Sequence, residues 1–221
     1  MTTGTVAFDL VGTLFTLEAP RRVLEHHGAP STALDIWFSG ALRDYFARSH
    51  SGNYTPLRQV LETTLPRAAR LVGWELDDRA ASEVMTALGE LTPTEGAQAA
   101  VTELAGAGWR MIALTNASRE LAEQLLGRSG LAAHFRHLLS CDALGVSKPH
   151  PRVYQEAMKA SEGDSWLIAA HAWDVGGALE AGMRAIWVSS GEHVYPEFLP
   201  APDLMTDDLV SAAEFLVQAR R

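Results

Sequence analysis

The stretch TVAFDLVGTL, residues 5–14, joins a short apolar run to an acidic residue and a Gly-Thr turn. An apolar run of this length predicts a buried β-strand over residues 5–10. Asp9 closes the run, and polar residues at the carboxyl ends of parallel strands form the ligand site of open α/β sheets. Gly12 then lets the backbone turn closely around whatever the Asp9 carboxylate contacts. Asp9 is therefore the first candidate for a functional residue.

The rest of the chain divides into a helical part and a part in which helices and strands alternate. Helices are predicted at residues 20–27, 32–48, 56–70 and 77–88, and then at 96–105, 118–126, 151–160, 175–181 and 211–220. Further strands are predicted at residues 110–114, 137–141, 165–170 and 185–188. Strands joined by helical crossovers form a parallel sheet that is covered on both faces. The sequence therefore predicts an α/β fold, with a Rossmann-like parallel sheet in a core domain of residues 1–15 and 92–221 and an inserted helical cap domain of residues 16–91.

Three later segments also place polar residues at positions that suit a binding site. Thr115 and Asn116 follow an apolar run, in LTNAS, and supply a hydroxyl, an amide and backbone N–H groups for an anion. Lys148 lies in SKPHPRVY, and Asp174 lies in AHAWDVGGALEAG, where small residues permit close packing of a helix on a strand. We expect these residues to converge with Asp9 on one crevice.

Each of these residues has a structural alternative when it is considered alone. An aspartate after a strand or before a helix is commonly a turn or N-cap residue, which applies to Asp9 and Asp174. Thr115 and Asn116 fit local turn chemistry. A single lysine such as Lys148 is usually a solvated surface charge. The order of the four segments along the chain favours a functional set.

In order and spacing, the four segments resemble the four catalytic motifs of the haloacid dehalogenase superfamily, hydrolases that attack their substrates with an aspartate. The resemblance implies that Asp9 is the catalytic nucleophile, because a carboxylate forms an ester with the substrate that water then hydrolyses. It also implies catalytic roles for Thr115, Lys148 and Asp174. The lysine is expected to neutralise Asp9 and the substrate anion, and Asp174 to order the lysine and position the hydrolytic water.

Two positions depart from the phosphatases of this superfamily. Val11 stands where they carry a general acid, and Ala170 stands where they carry an acid that ligates magnesium. With both carboxylates replaced, too few hard oxygen ligands remain for Mg²⁺, and we expect no metal and no cofactor. The type II L-2-haloacid dehalogenases dispense with the metal, and the segments FDLVGTLF, KPHPRVY and AWD resemble their sequences.

The chain also departs from that branch around its leaving-group pocket. Phe38 follows Trp37 where the resemblance implies an arginine that receives the departing halide. Ala169 and His171 stand where those enzymes tend to have a serine and an asparagine, and Val11 stands in place of an aromatic residue. We interpret these differences as altered specificity, and we expect weak activity on ordinary 2-chloro acids.

Six residues are predicted to contact the substrate: Val11, Phe38, Asn116, Tyr154, His171 and Trp173. The resemblance implies that Tyr154 lines the site. For His171 the alternative is a hydrogen-bonded packing residue, although a histidine pKa near neutral pH keeps an acid or base role open. For the aromatic residues, including Tyr45 and Trp173, the alternative is packing between cap and core.

The composition limits the partners of the protein. Its net charge of −9 and the lack of a basic stretch argue against binding of nucleic acid or of an acidic membrane. No uncharged apolar run is long enough to span a bilayer. Cys141 is the only cysteine, which excludes an internal disulfide and favours a reducing compartment. We expect a cytoplasmic protein that acts on a small anionic organic substrate, and the family resemblance implies a homodimer.

Three hypotheses on function follow from these residues. The first is a metal-independent hydrolase similar to L-2-haloacid dehalogenases, in which Asp9 displaces halide from carbon. The second is a small-molecule phosphatase in which Asp9 accepts the phosphoryl group, and Mg²⁺-dependent turnover would favour it. The third is a catalytically weak protein of the same fold that binds a small anion or a partner protein.

Overall fold

The computed structural model describes residues 4–219, which contain a six-stranded sheet, a two-stranded sheet and ten α-helices. The strands are β1 (Thr5–Phe8), β2 (Phe15–Thr16), β3 (Thr92–Pro93), β4 (Arg110–Thr115), β5 (Phe135–Ser140), β6 (Ser165–Ala169), β7 (Arg184–Val188) and β8 (Leu204–Thr206). The helices are α1 (Glu18–His26), α2 (Ala33–His50), α3 (Leu57–Leu71), α4 (Asp78–Ala87), α5 (Ala97–Gly106), α6 (Arg119–Arg128), α7 (Cys141–Leu144), α8 (Pro151–Lys159), α9 (Ala172–Glu180) and α10 (Leu209–Gln218). Among these helices, none combines the length and the apolar character needed to cross a membrane.

The six-stranded sheet is parallel throughout and has the order β5-β4-β1-β6-β7-β8, which confirms the predicted α/β fold. β1 lies near its centre, where Phe8 pairs with Ala113 of β4 on one side and with Ile168 of β6 on the other. The chain adds β4 and β5 on one side of β1 and then returns to add β6, β7 and β8 on the other. A reversal of this kind opens a crevice at the carboxyl ends of the strands. The residues that follow β1, β4 and β6 therefore meet at one place.

The two faces of the sheet are covered by separate apolar layers. Along β1, Val6 and Phe8 belong to a cluster with α5, α6 and α10, whereas Ala7 belongs to the opposite cluster with α8 and α9. All four residues of β1 are buried. Burial on both faces is expected of a parallel sheet, and around β1 it leaves the strand ends accessible to a ligand.

Helices α1 to α4, residues 18–87, form a third apolar cluster of their own and are called the helical segment below. Within it, α2 packs against α3 and α1 packs against α4. The segment is joined to the sheet where β2 pairs antiparallel with β3, with Phe15 opposite Pro93. This strand pair lies at the predicted boundaries of the cap domain. The division into a core domain and a cap domain stays a prediction.

Some elements differ from their predicted bounds. β1 ends at Phe8, so that Asp9 lies in the turn, and Cys141 begins α7 instead of ending a strand. The short elements β2, β3, β8 and α7 are not predicted from the sequence, because two to four residues are too few to show a period. The predicted end of the last helix at residue 220, and residues 1–3 and 221 of the predicted core, lie outside the described residues.

Candidate active site

Asp9 lies in the turn after β1, at the wall of a small cavity. The side chain is buried, and each of its oxygens accepts a hydrogen bond, Oδ1 from Lys148 Nζ at 2.7 Å and Oδ2 from Thr13 Oγ1 at 2.7 Å. Thr13 Oγ1 in turn accepts from the backbone N–H of Ala170, which follows β6, at 2.9 Å. These bonds fix the orientation of the carboxylate, and each carboxylate oxygen retains a further lone pair.

Lys148 is fully buried between two carboxylates. Its Nζ donates to Asp9 Oδ1 at 2.7 Å, to Asp174 Oδ2 at 2.6 Å and to the Leu114 carbonyl at 3.0 Å. A lysine ammonium has three N–H donors, so all of them are used. Burial alone would lower the pKa of Lys148, but the negative charges of Asp174 and Asp9 raise it well above its ordinary value. Lys148 is therefore a fixed positive charge, and the surface role that its residue type suggests is wrong.

Asp174 lies in the first turn of α9 and is fully buried. Its Oδ2 accepts from Lys148, and its Oδ1 accepts from the Tyr154 hydroxyl at 2.6 Å. Burial raises the pKa of Asp174, and Lys148 and Tyr154 partly offset that effect. The N-cap of α9 is His171, so the N-cap alternative for Asp174 is wrong. The contacts of Asp174 hold the lysine in place.

Thr115 ends β4, Asn116 follows it, and both residues line the same cavity as Asp9. The Thr115 hydroxyl oxygen accepts from the backbone N–H of Ala117 at 3.0 Å, which is the local turn chemistry typical of this residue type. Asn116 Oδ1 accepts from the backbone N–H of Lys148 at 2.9 Å. The amide oxygen of Asn116 thus helps to position the lysine segment, and its amide nitrogen is a donor suited to an anion.

A group of hydroxyls ties the helical segment to the sheet core beside Asn116. The Tyr45 hydroxyl, on α2, lies 2.9 Å from the Tyr54 hydroxyl and 3.5 Å from Asn116 Oδ1. The Tyr54 hydroxyl donates to Asp142 Oδ1, on α7, at 2.5 Å. From the sequence, Tyr45 is considered only as a pocket residue. Tyr54 and Asp142 are not identified, because they lie far apart in the chain. Their contacts hold α2, and with it Phe38, against the end of β4.

The cavity beside Asp9 has a volume of about 20 Å³, which is room for about one water molecule. Much of its wall is apolar and comes from Val11, after β1, and from Phe38, Leu42 and Leu57 of the helical segment. The cavity therefore lies between the sheet core and the helical segment, and it is too small in this conformation for an organic substrate.

Two larger spaces adjoin this cavity through shared lining residues. One has a volume of about 370 Å³ and shares Val11, Phe38 and Leu57 with the cavity. The other is a cleft of about 870 Å³ that shares Phe38, Leu42, His171 and Trp173 with it. The cavity beside Asp9 thus has room next to it in both of these spaces.

His171 is the N-cap residue of α9 and forms part of the cavity wall. Its Nδ1 lies 3.4 Å from Glu192 Oε1, and Glu192 Oε2 accepts from the backbone N–H of Ala172 at 2.9 Å. The imidazole stacks on the Trp173 ring, with centroids 5.3 Å apart and planes inclined by 13°. Burial alone would lower the pKa of His171, but the hydrogen bond with Glu192 and the charge of Asp9 raise it above its ordinary value.

The structure brings the predicted site residues together in two layers. The first layer lines the small cavity and comprises Asp9, Val11, Phe38, Thr115, Asn116, His171 and Trp173. The second layer comprises Lys148, Asp174 and Tyr154, which are fully buried behind Asp9. Tyr154, expected to line the site, instead donates its hydroxyl to Asp174. Sequence reasoning missed Thr13, although the Gly-Thr turn contains it, and Glu192, for which no motif gives a signal.

The donors around Asp9 do not suit a magnesium ion. The carboxylates of Asp9 and Asp174 both bind Lys148, whose positive charge lies between them. Val11 and Ala170 add no side-chain oxygen, and residues 4–219 contain no group of three or more His, Cys, Asp or Glu side chains arranged to hold a metal. Mg²⁺ prefers an octahedral set of oxygen ligands. The residues present therefore do not fit the metal that the resemblance implies for the superfamily's phosphatases.

Comparison with known proteins places these observations in a family. The (S)-2-haloacid dehalogenase of Pseudomonas sp. (strain YL) is 29% identical over 221 residues, which cover 97% of this chain and 94% of that protein. Haloacetate dehalogenase H-2 of Moraxella sp. (strain B) is 26% identical over 204 residues, which cover 90% and 91% of the two chains. A crystal structure of a dehalogenase superimposes with a TM-score of 0.89 at 26% identity over 96% of each chain.

A family model also matches most of the chain. A model described as haloacid dehalogenase-like hydrolase matches residues 3–182, which include every predicted catalytic residue. This range contains β1, the helical segment and the strands and helices through α9. The chain belongs to the haloacid dehalogenase-like hydrolases.

Proposed function

We propose that the protein hydrolyses the carbon–halogen bond of a 2-halogenated carboxylic acid, without a metal and with Asp9 as the nucleophile. The relatives named as haloacid and haloacetate dehalogenases support this reaction. The observation that carries the proposal is the buried Asp9 carboxylate, which is paired with Lys148 and faces a small, mostly apolar cavity. A carboxylate held away from bulk water in a fixed orientation is well placed to attack carbon.

The first step is a displacement at the halogen-bearing carbon. One Asp9 oxygen forms a bond to that carbon, the carbon–halogen bond breaks, and its electron pair leaves with the halide. Lys148 and Thr13 hold the carboxylate through hydrogen bonds of 2.7 Å each, so that little reorientation is needed during the attack. Direct displacement inverts the configuration at carbon.

The second step hydrolyses the Asp9 ester. Water adds to the carbonyl carbon of the ester. The bond between this carbon and the Asp9 oxygen that was joined to the substrate in the first step then breaks, and a 2-hydroxy acid leaves with that oxygen. One proton of the water passes to the product and the other to solvent. Lys148 stabilises the negative charge that develops on the carbonyl oxygen. We assign to Asp174 the role of orienting Lys148, since one of its carboxylate oxygens accepts a hydrogen bond from Lys148 and the other accepts one from Tyr154.

We propose that the substrate carboxylate binds at the end of β4, where Asn116 and the following loop supply N–H donors. The substituent on the reacting carbon then faces the apolar wall of Val11, Phe38 and Leu57. A small anionic organic acid fits this combination of one polar end and apolar surroundings. The 370 Å³ space beyond the same three residues gives room for the substituent.

We further propose that residues 16–91 act as a cap domain that opens to admit the substrate. The apolar cluster of the helical segment supports a separate domain, and the cavity of about 20 Å³ is smaller than any 2-haloacid. The contact between Tyr54 and Asp142 is one that opening would break.

A cytoplasmic location and a homodimer are also proposed. Burial raises the pKa of the Cys141 thiol to about 12, so that this cysteine is unreactive and suits a reducing compartment. The homodimer rests on the family resemblance, and light scattering after size-exclusion chromatography tests it.

A panel assay with a Phe38→Arg variant tests the leaving-group pocket. We expect the natural chain to release chloride slowly from L-2-chloropropionate and the variant to be faster by about a hundredfold, because arginine adds a donor for the departing halide. Phe38→Leu is the matched control, which changes the ring but adds no donor. Circular dichroism checks that both variants fold, since Phe38 is buried.

Two outcomes would contradict this account of Phe38. The natural chain could match a competent dehalogenase on 2-chloropropionate, or the folded arginine variant could behave like the leucine control. Phosphate esters belong in the same panel, and turnover of a phosphate ester without any halide release would support the phosphatase hypothesis instead.

Metal removal is expected to leave the activity unchanged. Lys148 occupies the position between the carboxylates, so that neither chelator nor added Mg²⁺ should alter the rate of halide release. The measurement is kcat before and after dialysis against a chelator, with a magnesium-dependent phosphatase treated in parallel to show that the metal was removed. A strict requirement for Mg²⁺ would contradict the conclusion that the residues around Asp9 do not fit this metal.

A further inference from the structure

Hydrolysis of the Asp9 ester is faster when a group beside the ester takes a proton from the attacking water. This inference rests on the proposed dehalogenation and concerns its second step. Asp174 does not suit the role, because it is fully buried and its two oxygens already accept from Lys148 and Tyr154. Lys148 does not suit it either, since it is a fixed cation whose three N–H groups are all bound. We therefore searched for a base in the wall of the cavity beside Asp9.

The wall of this cavity contains one side chain with the chemistry of a base. Its polar side chains besides Asp9 are Thr115, Asn116, His171 and Trp173. A hydroxyl, an amide and an indole take up no proton near neutral pH, whereas a neutral imidazole does. His171 also lies at the wall of the open cleft of about 870 Å³, through which its ring can exchange protons with solvent.

The two ring nitrogens of His171 have different surroundings. Nδ1 lies 3.4 Å from Glu192 Oε1, and Glu192 Oε2 is held at 2.9 Å by the backbone N–H of Ala172. We assign the proton of the neutral ring to Nδ1, because a carboxylate can only accept. Nε2 faces the turn that carries Asp9, since a Cβ at Gly12 would lie only 2.7 Å from it. The lone pair of Nε2 is thus on the side of the nucleophile, and a carboxylate orients the ring from behind, as in known general bases.

The cavity gives a water molecule access to both groups. Its volume of about 20 Å³ is room for about one water, and its wall includes Asp9 and His171. The halide leaves on the far side of the reacting carbon from Asp9, so it does not occupy the side of the carboxylate that Nε2 faces. The substrate part of the ester has the larger adjoining spaces available to it. Stacking of the imidazole on Trp173, with centroids 5.3 Å apart, limits rotation of the ring.

We propose that His171 is a catalytic residue, the general base that takes a proton from the water that hydrolyses the Asp9 ester, and that Glu192 positions its ring. The water oxygen adds to the ester carbonyl carbon while Nε2 takes one of the water protons. The bond from this carbon to the oxygen that is joined to the substrate then breaks, and Nε2 gives its proton to that oxygen, which leaves as the hydroxyl group of the product. The second water proton dissociates to solvent from the regenerated Asp9 carboxyl group.

Formation of the ester makes His171 a better base. Burial lowers the pKa of His171, but the hydrogen bond with Glu192 and the negative charge of Asp9 raise it above its ordinary value. The Asp9 ester carries no charge, so the pKa of His171 should fall once the ester has formed. A larger fraction of the imidazole is then neutral in the step that needs a base.

The other charged groups around His171 are paired. Asp174, on α9, binds Lys148. The helical segment contributes two acidic and two basic residues to the wall of the cleft, Glu18, Asp35, Arg21 and Arg43. Arg21 is paired with Glu18 and Asp35, and Arg43 is paired with Asp44. These pairs reduce the effect of either arginine on the pKa of His171.

A His171→Gln variant separates the two steps of the reaction. With a 2-halo acid it should release about one equivalent of halide in a burst, because the attack by Asp9 needs no base. Later turnover should be slower than in the natural chain by about a hundredfold or more, which is typical of the loss of a general base. The Asp9 ester should then accumulate, and mass spectrometry of the acid-quenched protein should find it on the Asp9 peptide. His137→Gln, which replaces an exposed histidine on β5, is the matched control and should show neither change.

The pH dependence of ester decay gives a second readout. The neutral imidazole is the active form, so the decay rate in the natural chain should rise with pH through the pKa of His171 and level off above it. This rising limb should be absent in His171→Gln. In Glu192→Gln it should shift to lower pH, since the variant lacks the negative charge that favours the imidazolium.

The outcomes distinguish this inference from the proposed function. Equal ester decay in the natural chain and in folded His171→Gln, or a rising limb that persists in that variant, overturns the role of His171 while the dehalogenation stands. A limb that stays in place in Glu192→Gln overturns the role of Glu192. A natural chain that forms no Asp9 ester and releases no halide from any 2-halo acid contradicts the proposed function, and the inference falls with it.

Discussion

Replacement of Asp9 by asparagine is expected to lower kcat by about 10⁴-fold or more, since removal of a nucleophile abolishes the covalent route and leaves only weak residual catalysis. Asparagine has nearly the same shape as aspartate, and its amide oxygen can still accept from Lys148. The loss should therefore appear in halide release and not in the fold. Chloride release measured over time gives the loss of activity, and circular dichroism checks that the variant folds.

The role of Asp9 as the nucleophile can also be tested without a variant, by following the transfer of oxygen from labelled water. In a single turnover in ¹⁸O-water, the Asp9 oxygen should leave with the product, and the label should enter the peptide that contains Asp9. Label found only in the product of the first turnover would indicate direct attack by water and would overturn the role of Asp9. Retention of configuration at carbon would count against direct displacement in the same way.

The fold is largely predictable because its signals are local. Apolar runs such as the one before Asp9, separated by helical stretches, indicate a parallel sheet, and the sheet order agrees with this expectation. β8 is not predictable in this way, because three residues at the sheet edge are too few to show a period and none of them is buried; Met205 is 52% exposed. The four-residue helix α7 is fixed by Ser140, whose hydroxyl accepts from the N–H of Asp142, and a cap of that kind is too common to identify a helix.

The site is predictable where its residues belong to motifs and unpredictable where they meet only in space. Asp9, Lys148 and Asp174 are identified by order and spacing. The distances of 2.7 Å from Lys148 Nζ to Asp9 and 2.6 Å to Asp174 agree with convergence on one crevice. The partnership of His171 with Glu192 depends on the path of a loop between β7 and β8. No sequence pattern specifies that path, so the charge state of His171 can be argued only from the fold.

The buried lysine gives the largest expected effect on stability. Lys148→Met should lower the free energy of unfolding by about 3–5 kcal/mol at neutral pH, because it leaves the Asp9 and Asp174 carboxylates buried without the positive charge that pairs with both of them. Lys159→Met is the matched control: Lys159 is 71% exposed and forms a surface ion pair with Glu156, so its loss should cost less than about 1 kcal/mol. Urea denaturation measures both variants.

The pH dependence of this loss has a definite sign. Without Lys148, the main positive charge that opposes the effect of burial on Asp174 is lost, and the pKa of Asp174 in the folded protein then rises further above its unfolded value. A folded state that binds more protons than the unfolded state loses stability as pH rises. The urea midpoint of Lys148→Met should therefore increase from pH 8 to about pH 5 relative to that of the natural chain.

A double variant separates charge balance from catalysis. Lys148→Met with Asp174→Asn removes one positive and one negative charge, and it should recover part of the lost stability because a buried pair replaced on both sides costs far less than a pair broken on one side. Its activity should stay as low as that of Lys148→Met, since the charge that orients Asp9 and stabilises the ester hydrolysis is still missing. Equal stability of the single and double variants would mean that Asp174 is not charged in the folded protein. Recovery of activity in the double variant would mean that Lys148 acts only by neutralising Asp174, and its direct bond to Asp9 would then have no part in the reaction.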